Sequence, residues 1–260
     1  VVGTIEESEV ASPTHVLTKV PEVTFVFWLI KIAATTLGET GGDALSMSLG
    51  LGYLLSTVVF GAIFVGSVFA QIRAKKFQPS LYWLTIIAST TVGTTLADFA
   101  DRSLGVGYAG GTTILLLCLV GSLLVWHRTL GTISVNTIFT RKAEVFYWVT
   151  IMFSQTLGTA LGDWTADTAG IGFAGGTILF SVLILLVAGG YYFTRISRVT
   201  LFWLAFVLSR PLGAVIGDLL DKPLDEGGLD LSRFTASGVL LAFVIICVLL
   251  FEQKPAKHAH

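Results

Sequence analysis

Four times in this chain a tryptophan is followed ten residues later by a glycine and fifteen residues later by an aspartate: Trp28/Gly38/Asp43, Trp83/Gly93/Asp98, Trp148/Gly158/Asp163 and Trp203/Gly213/Asp218. Each aspartate ends a stretch apolar enough to lie in a lipid bilayer, where an ionisable side chain is costly and by default marks a function. The copies read WLIKIAATTLGETGGD, WLTIIASTTVGTTLAD, WVTIMFSQTLGTALGD and WLAFVLSRPLGAVIGD. Repeats one and two recur as three and four at an offset of 120 residues, as two nested duplications would leave them.

A mean hydropathy of +0.81, with 53% hydrophobic and 13% charged residues, cannot supply the polar surface of a soluble 260-residue domain. The expected fold is an all-α integral membrane protein. Runs of about 20 apolar residues predict eight transmembrane helices near 24–45, 53–73, 81–101, 107–127, 145–166, 172–193, 200–220 and 235–252. They pair as four helical hairpins. Because each unit holds two spans, the copies face the same way, as parallel repeats around a central axis along the membrane normal. The expected divisions are a polar N-terminal tail (1–22), a transmembrane domain (23–252; repeats about 23–76, 79–140, 144–198 and 199–252) and a C-terminal tail (253–260). Cys118 and Cys247 each sit inside an apolar run and fit buried packing better than a disulfide framework or a thiolate metal site.

Lys19, Arg73, Lys75, Lys76, Arg128, Arg141, Lys142, Arg195, Arg198, Lys254 and Lys257 lie in the tails and between hairpins, whereas the loops inside hairpins hold only Arg102, Lys222 and Arg233. This asymmetry predicts cytoplasmic termini, with the four tryptophans at the cytoplasmic boundary. The aspartates then lie roughly 22 Å further along, in the outer half of the membrane.

Counted from each tryptophan, positions +7, +11 and +15 are Thr35/Glu39/Asp43, Thr90/Thr94/Asp98, Gln155/Thr159/Asp163 and Arg210/Ala214/Asp218. Steps of four keep side chains on one helical stripe. Hydroxyls, a carboxamide and carboxylates avoid lipid, so the four stripes should converge on a polar lining that ends in a carboxylate ring. Asp101, Asp167 and Asp221 add a second acid about one turn later. Glu39 and Asp43 form a potential bidentate oxygen site, and Arg210, followed by Pro211, is placed to pair with Glu39 across the axis. The competing structural readings are that the aspartates cap helix ends beyond helix-weakening glycines, that Gly107-x-x-x-Gly111 and Gly172-x-x-x-Gly176 only let helices approach, and that Lys31 snorkels to the interface.

The four WxxxxxxxxxGxxxxD units, over residues 24 to about 250, resemble a group of small bacterial proteins described as uncharacterised membrane-anchored proteins, which implies the bacterial inner (cytoplasmic) membrane. ETGGD at Glu39 to Asp43 is remotely similar to the Glu-x-Gly-Asp signature of manganese and calcium/proton exchangers, with one more residue between the acids. That likeness implies divalent-cation transport and bears only on Glu39 and Asp43.

The expected function is cation transport, without an enzymatic activity or covalent cofactor. The ion would be held by Glu39, Asp43, Asp98, Asp163 and Asp218, helped by Thr94, Thr159, Gln155 and Arg210. Hard oxygen ligands favour manganese, magnesium, calcium or protons. A cation or proton channel is a variant, and a non-transporting scaffold or lipid-binding subunit is a rival that gains if the stripes pack with no aqueous vestibule. An intramembrane aspartyl hydrolase fits least, since no copy reads Gly-x-Gly-Asp. The partners expected are the bilayer, an inorganic cation and protons, and the charge pattern does not suggest nucleic acid.

Overall fold

The computed structural model describes residues 18–256, which are helical apart from short turns and one isolated bridge between Pro21 and Pro255. Eight α-helices follow in order: α1 (Phe25–Asp43), α2 (Gly52–Arg73), α3 (Pro79–Asp98), α4 (Tyr108–Leu130), α5 (Arg141–Asp163), α6 (Gly172–Phe193), α7 (Arg198–Asp221) and α8 (Arg233–Leu250). Their starts are written in the sequence. Thr24 and Thr140 accept the backbone N–H groups of Phe27 and Ala143, and Pro79 opens α3, where a missing N–H is harmless.

The odd helices form a closed ring in which α1 packs on α3, α3 on α5, α5 on α7 and α7 on α1. The even helices stand outside it. Their pairing departs from the expected hairpins: α2 packs on α3, α4 on α5, α6 on α7 and α8 on α1, so each outer helix covers the next unit's inner helix. Among the described residues five helices, α2, α4, α6, α7 and α8, are long and apolar enough to cross a membrane, against eight expected. The polar stripe lowers the hydropathy of α1, α3 and α5, and the ring buries that stripe.

Glycine makes the ring possible. A Cβ at Gly38 would lie 2.3 Å from Thr90, at Gly93 2.9 Å from the Gln155 backbone, at Gly158 2.1 Å from Arg210, and at Gly213 2.2 Å from Thr35. The +10 glycine of every unit therefore receives the +7 residue of the next, and the fourth unit receives the first. One turn on, Gly42 faces Thr94, Gly162 faces Ala214 and Gly217 faces Glu39 in the same order. The glycines are notches between helices rather than weak points within them.

The tryptophan end closes by the same cyclic rule. The aromatic residue before each tryptophan meets the tryptophan of the next unit: Phe27 with Trp83, Tyr82 with Trp148, Tyr147 with Trp203 and Phe202 with Trp28, at centroid separations of 5.5, 5.8, 6.4 and 5.9 Å. Trp83, Trp148 and Trp203 are thus buried in a plug rather than exposed on the outer surface of the bundle.

Residues 18–22, expected in the polar tail, dock beneath this plug; residues 1–17 lie outside the described residues. Glu22 N–H donates to Lys254 O and Ala256 N–H to Val20 O, while Lys19 pairs with the buried Glu144 at 2.7 Å. Burial raises the Glu144 carboxyl and the Lys19 ammonium opposes the shift. Both ends of the described chain therefore sit on one face.

At the opposite end, α1, α3 and α5 each run into a π-helical turn directly after the repeat aspartate: Ala44–Ser48, Phe99–Ser103 and Trp164–Thr168. Asp43, Asp98 and Asp163 keep right-handed helical backbone and make no side-chain capping bond, so they are not helix caps. The turns that follow use glycine pairs with positive φ, including Gly105/Gly107 and Gly170/Gly172. Gly107 and Gly172 are therefore turn residues rather than helix-contact residues. Gly111 leaves room for the Asp101 carboxylate, and Gly176 for Val215.

Candidate functional site

Steps of four along the odd helices divide the ring into layers. Beyond the aromatic plug lies a +3 layer of Lys31, Ile86, Ile151 and Phe206, all fully buried. Lys31 does not snorkel; its Nζ sits 4.2 Å over the Phe206 ring and has no hydrogen-bond partner. The +7 layer holds Thr35, Thr90, Gln155 and Arg210, again fully buried. Gln155 Nε2 donates to Ser89 Oγ at 3.3 Å, so this amide belongs to the +6/+7 layers and does not join the carboxylates.

Arg210 reaches one layer further and ties its own unit to the other three. The two N–H groups of its Nη2 are shared among Glu39 Oε2 at 2.8 Å, Thr94 Oγ1 at 2.6 Å and Thr159 Oγ1, while Thr94 Oγ1 donates to Glu39 Oε2 at 3.2 Å. A guanidinium removed from water needs such an anion and such acceptors.

The +15 carboxylates also meet, but they meet around side-chain cations. Arg102 bridges Asp98 (2.9 Å) and Asp163 (3.5 Å); Lys222 bridges Asp43 (2.5 Å) and Asp218 (3.0 Å). Arg233 pairs with Asp221 at 3.2 Å and approaches Asp43 at 3.9 Å. Burial works against the Lys222 ammonium, yet Asp218, Asp43 and Asp221 outweigh it and hold the group above the usual lysine range. Burial likewise opposes the charge of Arg102, and Asp98 and Asp163 outweigh it.

Among the described residues two sets of acids converge closely enough to share an ion: Glu39, Asp163 and Asp218, and Asp43, Asp218 and Asp221, each with ligand oxygens within 4.8 Å of one another. Asp98 joins through Arg102 alone. Of the second acids, Asp221 enters the cluster, Asp101 is buried apart from it against Gly111, and Asp167 is exposed. Register separates the exposed Asp167, at +19, from Asp101 and Asp221, which both stand at +18 and are both buried. The buried acids of the cluster (Glu39, Asp43, Asp98, Asp163, Asp218, Asp221) still outnumber the bases Arg102, Arg210, Lys222 and Arg233 that reach the site.

The repeat described as Repeat of Unknown Function (DUF347) matches residues 26–77, 81–132, 146–197 and 201–251. The chain belongs to this family. No curated protein and no solved structure matches it. The match supports the fourfold reading of the sequence and brings no finding on the exchanger-like motif.

The four DUF347 units are equivalent in packing and unequal in charge. Position +19 is Met47, Arg102, Asp167 and Lys222 in turn. Units two and four thus carry the clamps, each reaching its own +15 aspartate and that of the following unit. In the sequence Arg102, Lys222 and Arg233 read as topology markers, although the four-residue step from Asp98 to Arg102 and from Asp218 to Lys222 already signals the pairing. A second missed feature lies in the +3 to +7 layers. Lys31 Nζ, Thr90 Oγ1, Ser154 Oγ, Gln155 Oε1, Arg210 Nε and Arg210 Nη1 are buried and receive no partner from the protein. Left unmet, each would cost about 1–3 kcal/mol.

Proposed function

We propose that this chain is a multi-pass protein of the bacterial inner membrane that moves a cation along the axis of its four-unit ring, with eight spans and cytoplasmic termini. The observation that carries the reading is the excess of buried carboxylates around the axis, with Glu39 and Arg210 paired at 2.8 Å beneath them. Buried ionisable groups in apolar helices are costly and mark ion paths or proton relays. Oxygen donors suit a hard cation such as manganese, magnesium or calcium, or a proton. Arg102, Lys222 and Arg233 occupy the places a bound cation would take, so ion uptake requires these side chains to move aside. The aromatic plug closes the other end, and the arrangement corresponds to a closed state.

The test is flux in proteoliposomes with a panel of ions under two opposed pH gradients. Flux of one cation above protein-free liposomes is expected, and no flux of any cation or proton contradicts transport.

A scaffold or lipid-binding subunit is the second reading. It is favoured by tight packing: the stripe is buried throughout, and two cavities of about 240 and 570 Å³ lie off the axis, beside Phe64 and Trp148 and beside Trp28, Tyr192 and Arg198. A folded, lipid-dependent protein without flux would support it.

A further inference from the structure

The transport reading leaves the inner half of the axis unexplained. Between Glu39 and the plug there is no carboxylate on the stripe; the ionisable groups are Arg210 and Lys31, and the +3 layer is otherwise filled by Ile86, Ile151 and Phe206. A divalent ion, which needs about six oxygen ligands, finds no ligand set there. Yet this is where six buried polar atoms lack a protein partner. Buried polar groups are satisfied almost without exception, and ordered water is the usual partner when the protein provides none.

The polar series continues into the plug. Four residues before the Lys31 layer, or about 6 Å along the helix axis, the Tyr82 and Tyr147 hydroxyls meet at 2.7 Å, both buried. At the depth of Lys31, the charged or titratable groups on helices packed against α1 are Arg210 of α7, Tyr82 of α3 and Cys247 of α8. Arg210 is itself offset by Glu39.

We propose that the species crossing the inner half is the proton, carried by water bound among Lys31, Thr90, Ser154, Gln155 and Arg210 and by the Tyr82–Tyr147 hydroxyl pair. Hydronium in this site gives a proton to the Lys31 amine, leaving water and an ammonium; the ammonium then passes a proton to the hydroxyl pair, each hydroxyl accepting one proton as it donates another, and bulk water on the plug side takes the last proton, leaving the Lys31 amine and both hydroxyls as they began. No other reactant is needed. The inference rests on the transport reading and names its substrate.

The experiment reconstitutes the full chain in liposomes with an internal pH-sensitive dye, run beside a parallel assay of manganese uptake. It compares the native chain, Lys31→Met and the double variant Tyr82→Phe/Tyr147→Phe, which keeps the plug's rings and removes only the hydroxyls. Native proton flux, reduced to the level of protein-free liposomes in both variants at unchanged thermal midpoint, is the expected result. Should Lys31→Met fail to fold, the tyrosine variant decides. Proton flux at the native rate in the folded tyrosine variant overturns the proposal. Manganese uptake without proton flux overturns it too while leaving transport standing, and absence of both fluxes removes the transport reading itself.

Discussion

At the scale of single residues, one geometric rule recurs: a small residue on one helix receives a large or polar one from the next unit. Gly93→Ala puts a methyl 2.9 Å from the Gln155 backbone, which has nowhere to retreat. Overpacking of this kind costs about 1–3 kcal/mol, so the variant should melt lower than the native chain. Gly66→Ala, with nothing within 4 Å, should melt at the native temperature or slightly above it; equal effects at the two sites would contradict the notch. Glu39 and Arg210 offer a sharper case. Removing one partner of a buried pair costs about 3–5 kcal/mol because the other is left uncompensated. A thermal double-mutant cycle in detergent should show large losses for Glu39→Gln and for Arg210→Gln and recovery in the double variant, whereas additive losses would dissolve the pair. The stripe was legible in the sequence because a helix holds residues four apart on one face. The notches were not, since each partner lies on another unit and only a three-dimensional ring brings them together.

At the scale of elements, the helices and their order follow from hydropathy and capping, while their pairing does not. A short connection fixes where the next helix begins and leaves open which neighbour it covers. The outer helices here choose the next unit, and the last, α8, must return to α1. That return is clamped at both ends, by Lys222 and Arg233 on one side and by the paired segments Glu22/Lys254 and Val20/Ala256 on the other. Lys19 anchors the same terminal segment to Glu144 of α5 and to the Gln71 and Ile72 carbonyls of α2. Lys19→Ala strands the buried Glu144 carboxylate and should destabilise by about 1–3 kcal/mol, and Glu144→Leu in the same chain should restore the melting temperature. A Lys19→Ala chain as stable as the native one would show that the terminal segment merely rests on the bundle. The π-helical turns left no trace that periodicity could detect. They widen the helix just after Asp43, Asp98 and Asp163, a place where π-turns often accompany function.

At the scale of the whole molecule, four units obey one packing rule while the charges repeat in twos. Arg102 clamps units two and three and Lys222 clamps four and one; the other two seams have no +19 cation. The 120-residue duplication was legible in the sequence, and this division of the mouth into two clamped halves follows it. Orientation is open to a direct check: reporters fused after Lys76, Lys142 and Arg198 should read cytoplasmic and one after Gly227 external, and Gly227 inside would reverse the account of the mouth. The central claim, that ions cross by way of the Glu39 layer, is tested most directly by flux through the double variant Glu39→Gln/Arg210→Gln, whose fold the pairing argument preserves. The account predicts native-like melting and no ion flux above protein-free liposomes; flux at the native rate in that folded variant would contradict it.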